Sequence, residues 1–209
     1  MTEVAVAVGE DGVARCSWAG EDEDYRRYHD EEWGRPVGSD RALFELLSRE
    51  GFQAGLSWLT ILRKREAFRR AFLDFEPEQV ARFGPADVDR LLGDAGIVRH
   101  RGKIEAVIGN ARCALDHPGG LAALVWRYDA PSAVDDRDAP GRTTSPEAAA
   151  LSRELKRLGW RFVGPTTVYA FLQAAGLVDD HAERCHARPS VEADRQRFVR
   201  PTSAEPGRA

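Results

Sequence analysis

The chain has 209 residues, 43% of them hydrophobic and 31% charged, with a formal net charge of −4. That is one ordinary domain with enough apolar content for a core, which excludes wholesale disorder. The acidic balance excludes a protein that holds nucleic acid through bulk positive charge, while leaving room for a local basic patch that neutralises phosphates.

Three cysteines are too few for a disulfide framework or a four-thiolate iron–sulfur cluster. No apolar run approaches the roughly 18 residues of a membrane span, so no membrane partner is expected. The opening "MTEVAVAVGEDGVA" has neither a basic start nor a long apolar stretch, so no signal peptide is expected and the expected setting is the cytoplasm. Residues 1–14 are small and polar and read as a flexible arm.

From there helical periodicity dominates. Ser39 is a plausible cap for a helix whose Leu43, Leu46 and Leu47 share a face. Ser57 can cap a second stripe of Trp58, Ile61, Leu62, Phe68 and Phe72. Val88, Leu91, Leu92 and Ala95 give a third, and Ile104, Val107, Ile108, Ala111 and Leu115 a fourth. Leu121, Leu124 and Val125 suggest a short fifth. Residues 129–144 read as a polar loop ending at Ser145-Pro146, where serine can cap and proline can occupy the first helical position. Leu151, Leu155 and Leu158 continue that helix. Val168, Phe171, Leu172 and Ala175 make another after Gly164-Pro165. No stretch reads as a convincing strand, so the expected class is all-α, a compact helical domain over 15–189. The charged, proline-punctuated residues 190–209 read as a disordered tail.

"DAGIVRHRGKI", residues 94–104, lies between two core-like helices and concentrates Arg99, His100, Arg101 and Lys103 behind Gly96. A glycine turn followed by a helix N-terminus, with its free N–H groups and positive dipole end, suits a phosphate. An ordinary helical turn with a solvated basic loop fits the pattern about equally well. The second hairpin glycine, expected two residues after Gly96, comes only at Gly102.

Cys16 and His29 stand near the start, and His181 and Cys185 near the end, one helical turn apart. Two thiolates and two imidazoles could form a closed tetrahedral site of the structural zinc type, stapling the two ends across a loop of about 170 residues. Spacing alone favours small core cysteines and surface histidines, because neither half is a CxxC, and His186 is a rival ligand. Cys113 reads as packing.

The segment "LLSREGFQAGLSWLTIL" places Glu50 at the end of an apolar helix, with Gln53 and then Gly55-Leu56-Ser57-Trp58 opening the next. A carboxylate facing inward near a tryptophan needs a partner. A flipped nucleobase is one such partner, since it needs a stacking face and a hydrogen-bonding group that reads its edge. Trp58, Trp18, Tyr25 and Tyr28 could supply faces, Glu50 an acceptor and Tyr28 a hydroxyl. The plainer alternative is a surface glutamate and core aromatics, and the residues alone favour it.

These same stretches resemble one known family, the DNA-3-methyladenine glycosylase I family of bacteria. The resemblance runs over roughly residues 15–185. It is carried by "RCSWAG", "YHDEEWG", "EGFQAGLSWLTILRKREAFRRAF", "DAGIVRHRGKIEAVIGNA", "LKRLGWRFVGPTTVYAFLQAAGLVDDH" and Cys185. It implies an all-α fold of the helix–hairpin–helix glycosylase superfamily, with the hairpin near 94–104. It also implies one structural Zn2+ on Cys16, His29, His181 and Cys185. The family's pocket glutamate falls at Glu50, its stacking tryptophan at Trp58, its other aromatic walls at Trp18, Tyr25 and Tyr28, and a wedge into the base stack at Leu56. Gln53 adjoins the pocket. Phe52 departs from the family pattern, standing where a well-known member has glutamine.

The implied activity is monofunctional. It hydrolyses the N-glycosidic bond of 3-methyladenine in double-stranded alkylated DNA, releasing free base and leaving an abasic site, as in base excision repair. Gly96, Arg99, Arg101 and Lys103 become a phosphate clamp that reads no sequence. A monomer without an obligatory protein partner is expected. Two rivals are a bifunctional glycosylase with a Schiff-base lysine, for which only Lys64, Lys103 and Lys156 exist, and a non-catalytic binder of damaged DNA.

Overall fold

The computed structural model describes residues 6–129 and 142–202. Among them are eleven helices and one two-stranded antiparallel sheet. Strands β1 (Val6–Val8) and β2 (Ala14–Cys16) pair with Val6 opposite Cys16 and Val8 opposite Ala14. A short 3-10 turn at Ser17–Ala19 leads into α1 (Glu23–Glu31), α2 (Asp40–Gln53), α3 (Trp58–Arg63) and α4 (Arg65–Ala71). The chain continues through α5 (Pro77–Val80), α6 (Pro85–Gly93), α7 (Arg101–Asp116), α8 (Gly120–Trp126), α9 (Pro146–Arg157), α10 (Pro165–Ala174) and α11 (Arg188–Arg197). No described helix is long and apolar enough to cross a membrane.

The expected caps form. Ser39 accepts from the Ala42 amide at 3.2 Å, Ser57 from Thr60 at 3.3 Å and Ser145 from Ala148 at 3.1 Å, each satisfying one of the free donors of a first turn. Helix α2 is the centre of the molecule: α3, α7, α8 and α10 pack on it, and every residue from Leu43 to Phe52 is buried. Its start is tied to α8 by Asp40, which accepts from the Ala122 amide at 2.7 Å. Phe52 lies in the core against Phe68 (4.6 Å between ring centroids) and Phe72 (5.9 Å). Its departure from the family pattern therefore falls in the packing beneath α2.

Three expectations need correction. The absence of a strand is overturned by β1 and β2, which also give regular structure to parts of residues 6–14 of the expected arm, while its residues 1–5 lie outside the described residues. The Gly9–Gly12 turn closes that hairpin, with Gly9 donating to Val13 O at 3.1 Å and Gly12 at φ 73°. Strands of three residues leave too little alternation to read. The disordered tail over 190–209 is overturned for residues 190–197, which lie in α11. Pro189 occupies the first turn of α11, where its missing N–H costs nothing. Val191 is buried, Arg195 donates to Leu177 O at 2.9 Å, and Phe198 packs on Trp126 at 4.5 Å. Helix α1, with only Tyr28 and His29 buried, carries too few apolar residues to show a stripe. Residues 130–141 of the expected polar loop, and 203–209 of the expected tail, lie outside the described residues.

Candidate active site and metal centre

Four elements bring the predicted pocket residues together. Glu50 sits on the last turns of α2. The chain then turns through Gly55, whose φ of 82° suits only glycine comfortably, so that Trp58 opens α3. Tyr25 and Tyr28, one turn apart, share a face of α1, which Asp22 caps by accepting from the Asp24 and Tyr25 amides at 3.1 and 3.3 Å. Trp18 stands on the turn after β2. The Tyr28 and Trp58 rings lie 5.4 Å apart, Trp18 and Tyr25 5.6 Å, and Trp18 and Tyr28 6.4 Å.

Glu50 is 4% exposed, and its Oε2 makes no hydrogen bond. Burial pushes its carboxyl up to about 8, against an opposing pull from the Arg49 guanidinium. Burial and the Glu50 charge both raise the Tyr28 hydroxyl, and burial foremost, with Glu50 among the contributing charges, raises that of Tyr25. Both phenols therefore stay protonated as hydrogen-bond donors. The Trp58 Nε1 is buried without a hydrogen bond as well. Gln53 is half-buried at the end of α2, and Leu56 is 42% exposed at the tip of the turn.

Two residues that the sequence reading missed stand behind this site. Arg49 is buried, with its guanidinium 5.7 Å from the centre of the Trp58 ring and its Nε 3.5 Å from Glu45. Its Nε and Nη1 make no hydrogen bond. Glu45 is also buried and accepts from Arg69 at 2.9 Å. The i, i+4 spacing of Glu45 and Arg49 inside a leucine-rich helix was the available signal.

Cys16, His29, His181 and Cys185 are all buried, and their ligand atoms lie within 4.8 Å of one another. Cys16 Sγ is 3.7 Å from His181 Nδ1. Cys185 Sγ is 3.5 Å from the same atom and 3.4 Å from His29 Nε2. This group could hold a metal ion. The outer nitrogens are occupied: His29 Nδ1 lies 2.7 Å from Asp30 Oδ1 and His181 Nε2 lies 3.2 Å from Trp33 O. That arrangement fixes each tautomer with the remaining nitrogen toward the thiols. His186 pairs with Asp30 at 2.8 Å on the exposed side. Trp18 packs against the ring of His29 at 5.2 Å, so the Cys/His group and the aromatic cluster share a wall.

The basic turn between α6 and α7 divides into two parts. Arg99 and His100 are exposed, and Arg101 is exposed with ion pairs to Asp89 (3.1 Å) and Glu105 (3.7 Å). His100 caps α7, its Nδ1 accepting from the Lys103 amide at 3.2 Å. Lys103 corrects the expectation: it is buried, and its Nζ donates to Phe52 O at 2.9 Å and Ala54 O at 2.6 Å. Its charge is spent on the carbonyl end of α2, which needs a donor. Gly96 is required for close approach. A Cβ there would stand 2.9 Å from Asp94 Oδ1 and 3.0 Å from the Ala67 Cβ. Lys64 fastens the turn by donating to Ala95 O and Gly96 O at 2.9 and 3.1 Å.

The family model for methyladenine glycosylase matches residues 18–188. DNA-3-methyladenine glycosylase 1 of Escherichia coli (strain K12) is 44% identical over 185 residues, covering 85% of this chain and 98% of that protein. The DNA-3-methyladenine glycosylase of Haemophilus influenzae is 42% identical over 184 residues, covering 85% and 100%. A solved structure of 3-methyladenine DNA glycosylase I from Staphylococcus aureus, concerned with 3-methyladenine recognition, superposes with a TM-score of 0.79. It is 42% identical and covers 84% of this chain and 96% of that one. By matched sequence and matched fold, this chain belongs to the methyladenine glycosylase family.

Proposed function

We propose that Glu50 is the group that recognises the damaged base in a DNA-3-methyladenine glycosylase. The enzyme hydrolyses the N-glycosidic bond of 3-methyladenine in alkylated DNA. Water adds at C1′ of the sugar and gives up one proton to solvent, the bonding electron pair returns to the cationic base, and the neutral free base and an abasic site result. A 3-methylated adenine is cationic while attached, so it leaves without a strong general acid. The observation that supports this reading is the buried Glu50 oxygen without a hydrogen bond, whose charge acts on Tyr28, the ring 5.4 Å from Trp58. A cationic base entering there returns Glu50 to its ionised form, whereas neutral adenine offers no such compensation. The pocket thus selects charge together with shape. Trp58 and Trp18 stack on the base, where a cation–π contribution of ~1–2 kcal/mol is reasonable. Tyr28, Tyr25 and Gln53 line its edge, and Leu56 occupies the gap left by the flipped nucleotide.

The Cys16, His29, His181 and Cys185 set suits one structural Zn2+. A tetrahedral ion with ordinary Zn–S and Zn–N bonds sets neighbouring sulfur and nitrogen atoms roughly 3.5 Å apart, which the observed 3.4–3.7 Å separations match. With four protein donors no coordination position remains for chemistry, so the ion supplies cross-linking alone. It fixes the β2 turn that carries Trp18. The pair α6 and α7 serves as the helix–hairpin–helix unit, with Gly96, Arg99 and Arg101 against DNA phosphates and Lys103 as the strut behind them. The enzyme acts as a monomer in the cytoplasm without an obligatory protein partner, since the pocket and the hairpin both come from one chain.

Lyase chemistry is disfavoured by the lysines. Lys64 and Lys103 each donate to two backbone carbonyls, and Lys156 lies exposed on α9. The test is incubation with methylated duplex DNA, chromatography of the released base, then borohydride trapping on abasic DNA. Released 3-methyladenine without a trapped adduct is expected. No release sinks the assignment, and a trapped adduct makes the enzyme bifunctional.

A further inference from the structure

Phe162 is a bulky residue with φ 57°, in the left-handed region, and it is 39% exposed. A non-glycine residue with a large side chain rarely stays there unless its surroundings hold it. Here they do so from both sides. Asn110 on α7 clamps the preceding peptide, its Nδ2 donating to Arg161 O at 3.0 Å and its Oδ1 accepting from the Arg161 amide at 2.9 Å. Ser152 on α9 donates to Val163 O at 2.6 Å. The ring is set over the first turn of α7, edge-on to His100 at 6.2 Å between centroids. A Cβ on Gly102 would come within 3.9 Å of its tip, and one on Gly51 within 3.5 Å of its Cβ. Exposed basic residues adjoin it and its ring partner in sequence: Arg161 beside Phe162, Arg99 before His100, and Arg101 after it, paired to Asp89 and Glu105.

Resting on the glycosylase reading and its hairpin, we propose that Phe162 is a second DNA-contacting residue, stacking on a base of the duplex beside the extruded nucleotide. The fold holds an aromatic face at the edge of the same first turn of α7 that also anchors the Leu56 turn, through Lys103 and Ala54 O. Arg99 and Arg161 supply charge complementary to the flanking phosphates. A residue kept only for packing would gain nothing from a half-exposed ring in a disfavoured backbone conformation. A stacking residue needs both the exposure and the rigid placement.

The test uses the metal-loaded protein and a duplex carrying a tetrahydrofuran abasic analogue, with Kd measured between about 50 and 200 mM salt. Phe162→Gly is expected to melt close to wild type, because relief of the left-handed backbone offsets the lost ring contacts. It should bind free 3-methyladenine as wild type does, yet lose about tenfold or more in duplex affinity with an unchanged salt slope. Phe162→Trp should retain duplex affinity. Wild-type duplex binding by Phe162→Gly overturns the proposal. So does a joint loss of melting temperature and free-base binding, which marks the ring as a structural prop, or a Phe162→Trp as weak as Phe162→Gly. If the wild type itself releases no 3-methyladenine from methylated DNA, the glycosylase reading has failed. If it does and Phe162→Gly binds the duplex normally, only the role of Phe162 has.

Discussion

The two buried polar clusters of this protein are neighbours across the Trp18 ring, and they are built on opposite terms. In the Cys16–His29–His181–Cys185 cluster the side chains face one another, and the outward nitrogen of each histidine is held by Asp30 or Trp33. In the Arg49–Glu50–Trp58 cluster, four buried polar atoms make no hydrogen bond. A buried polar group without a partner costs on the order of 1–3 kcal/mol, and four of the eight such side-chain atoms among the described residues fall in this cluster. On the proposed reading the first cluster is a cross-link that one ion completes, and the second is completed by a bound base.

Each cluster can be broken separately. The largest expected effect is on the cross-link. Cys16→Ser should release the metal, measured as ions per chain, and lower the melting temperature by on the order of 10 °C or more. It should also reduce excision through the loosened Trp18 turn. A variant that stays metal-loaded and active would separate that turn from the metal.

The next effect has the opposite sign. The folded-state pKa of Glu50 lies at about 8, above its usual carboxylate value. Between those two values the unfolded chain holds fewer protons than the folded one, so Glu50 costs stability increasingly as pH rises from about 4.5 to about 8. Glu50→Gln should therefore stabilise the free enzyme at pH 8, by up to a few kcal/mol, and hardly at all at pH 4.5. Equal melting shifts at both pH values would show that the carboxyl is not desolvated.

A smaller effect sharpens the electrostatics. Arg49→Leu removes the positive neighbour that draws Glu50 downward, so the acidic limb of the excision profile should move to higher pH, with Arg49→Lys restoring it in part. An unmoved limb would confine Arg49 to packing on Trp58. Least in magnitude, Arg99→Ala with Arg101→Ala should weaken duplex binding and reduce the slope of log K against log salt by about 2. An unchanged slope would take the turn out of the interface.

The helices with long apolar stripes and serine caps, α2 and α9, were legible in the sequence because one physical pattern sets both their start and their buried face. Helix α1 and the β1–β2 hairpin were not. Their few buried residues are anchored by contacts far away in sequence, such as Cys185 near His29. Pro189 misled because proline ends a helix in its interior but starts one in its first turn. Within the site, the gathering of Trp18, Tyr25, Tyr28 and Trp58 was legible through the family resemblance, and so was that of Cys16, His29, His181 and Cys185. The fate of Lys103 was not legible: a lysine in a basic run gives no sign that its amine turns inward to the end of a helix 50 residues earlier. Nor was Arg49, since an arginine among leucines reads as the solvent side of a helix unless its partner Glu45 is seen to be buried too.

The central claim is that a buried carboxylate enclosed by aromatic rings holds a cationic base. The most direct measurement is the rate at which Glu50→Gln releases 3-methyladenine from methylated duplex DNA, taken on protein whose melting temperature and metal content match or exceed wild type. Glutamine keeps the size of the side chain and removes its charge. The account predicts a loss of roughly a hundredfold or more, the range expected when one buried electrostatic contact to the reacting group is removed. Release within a fewfold of wild type would contradict it.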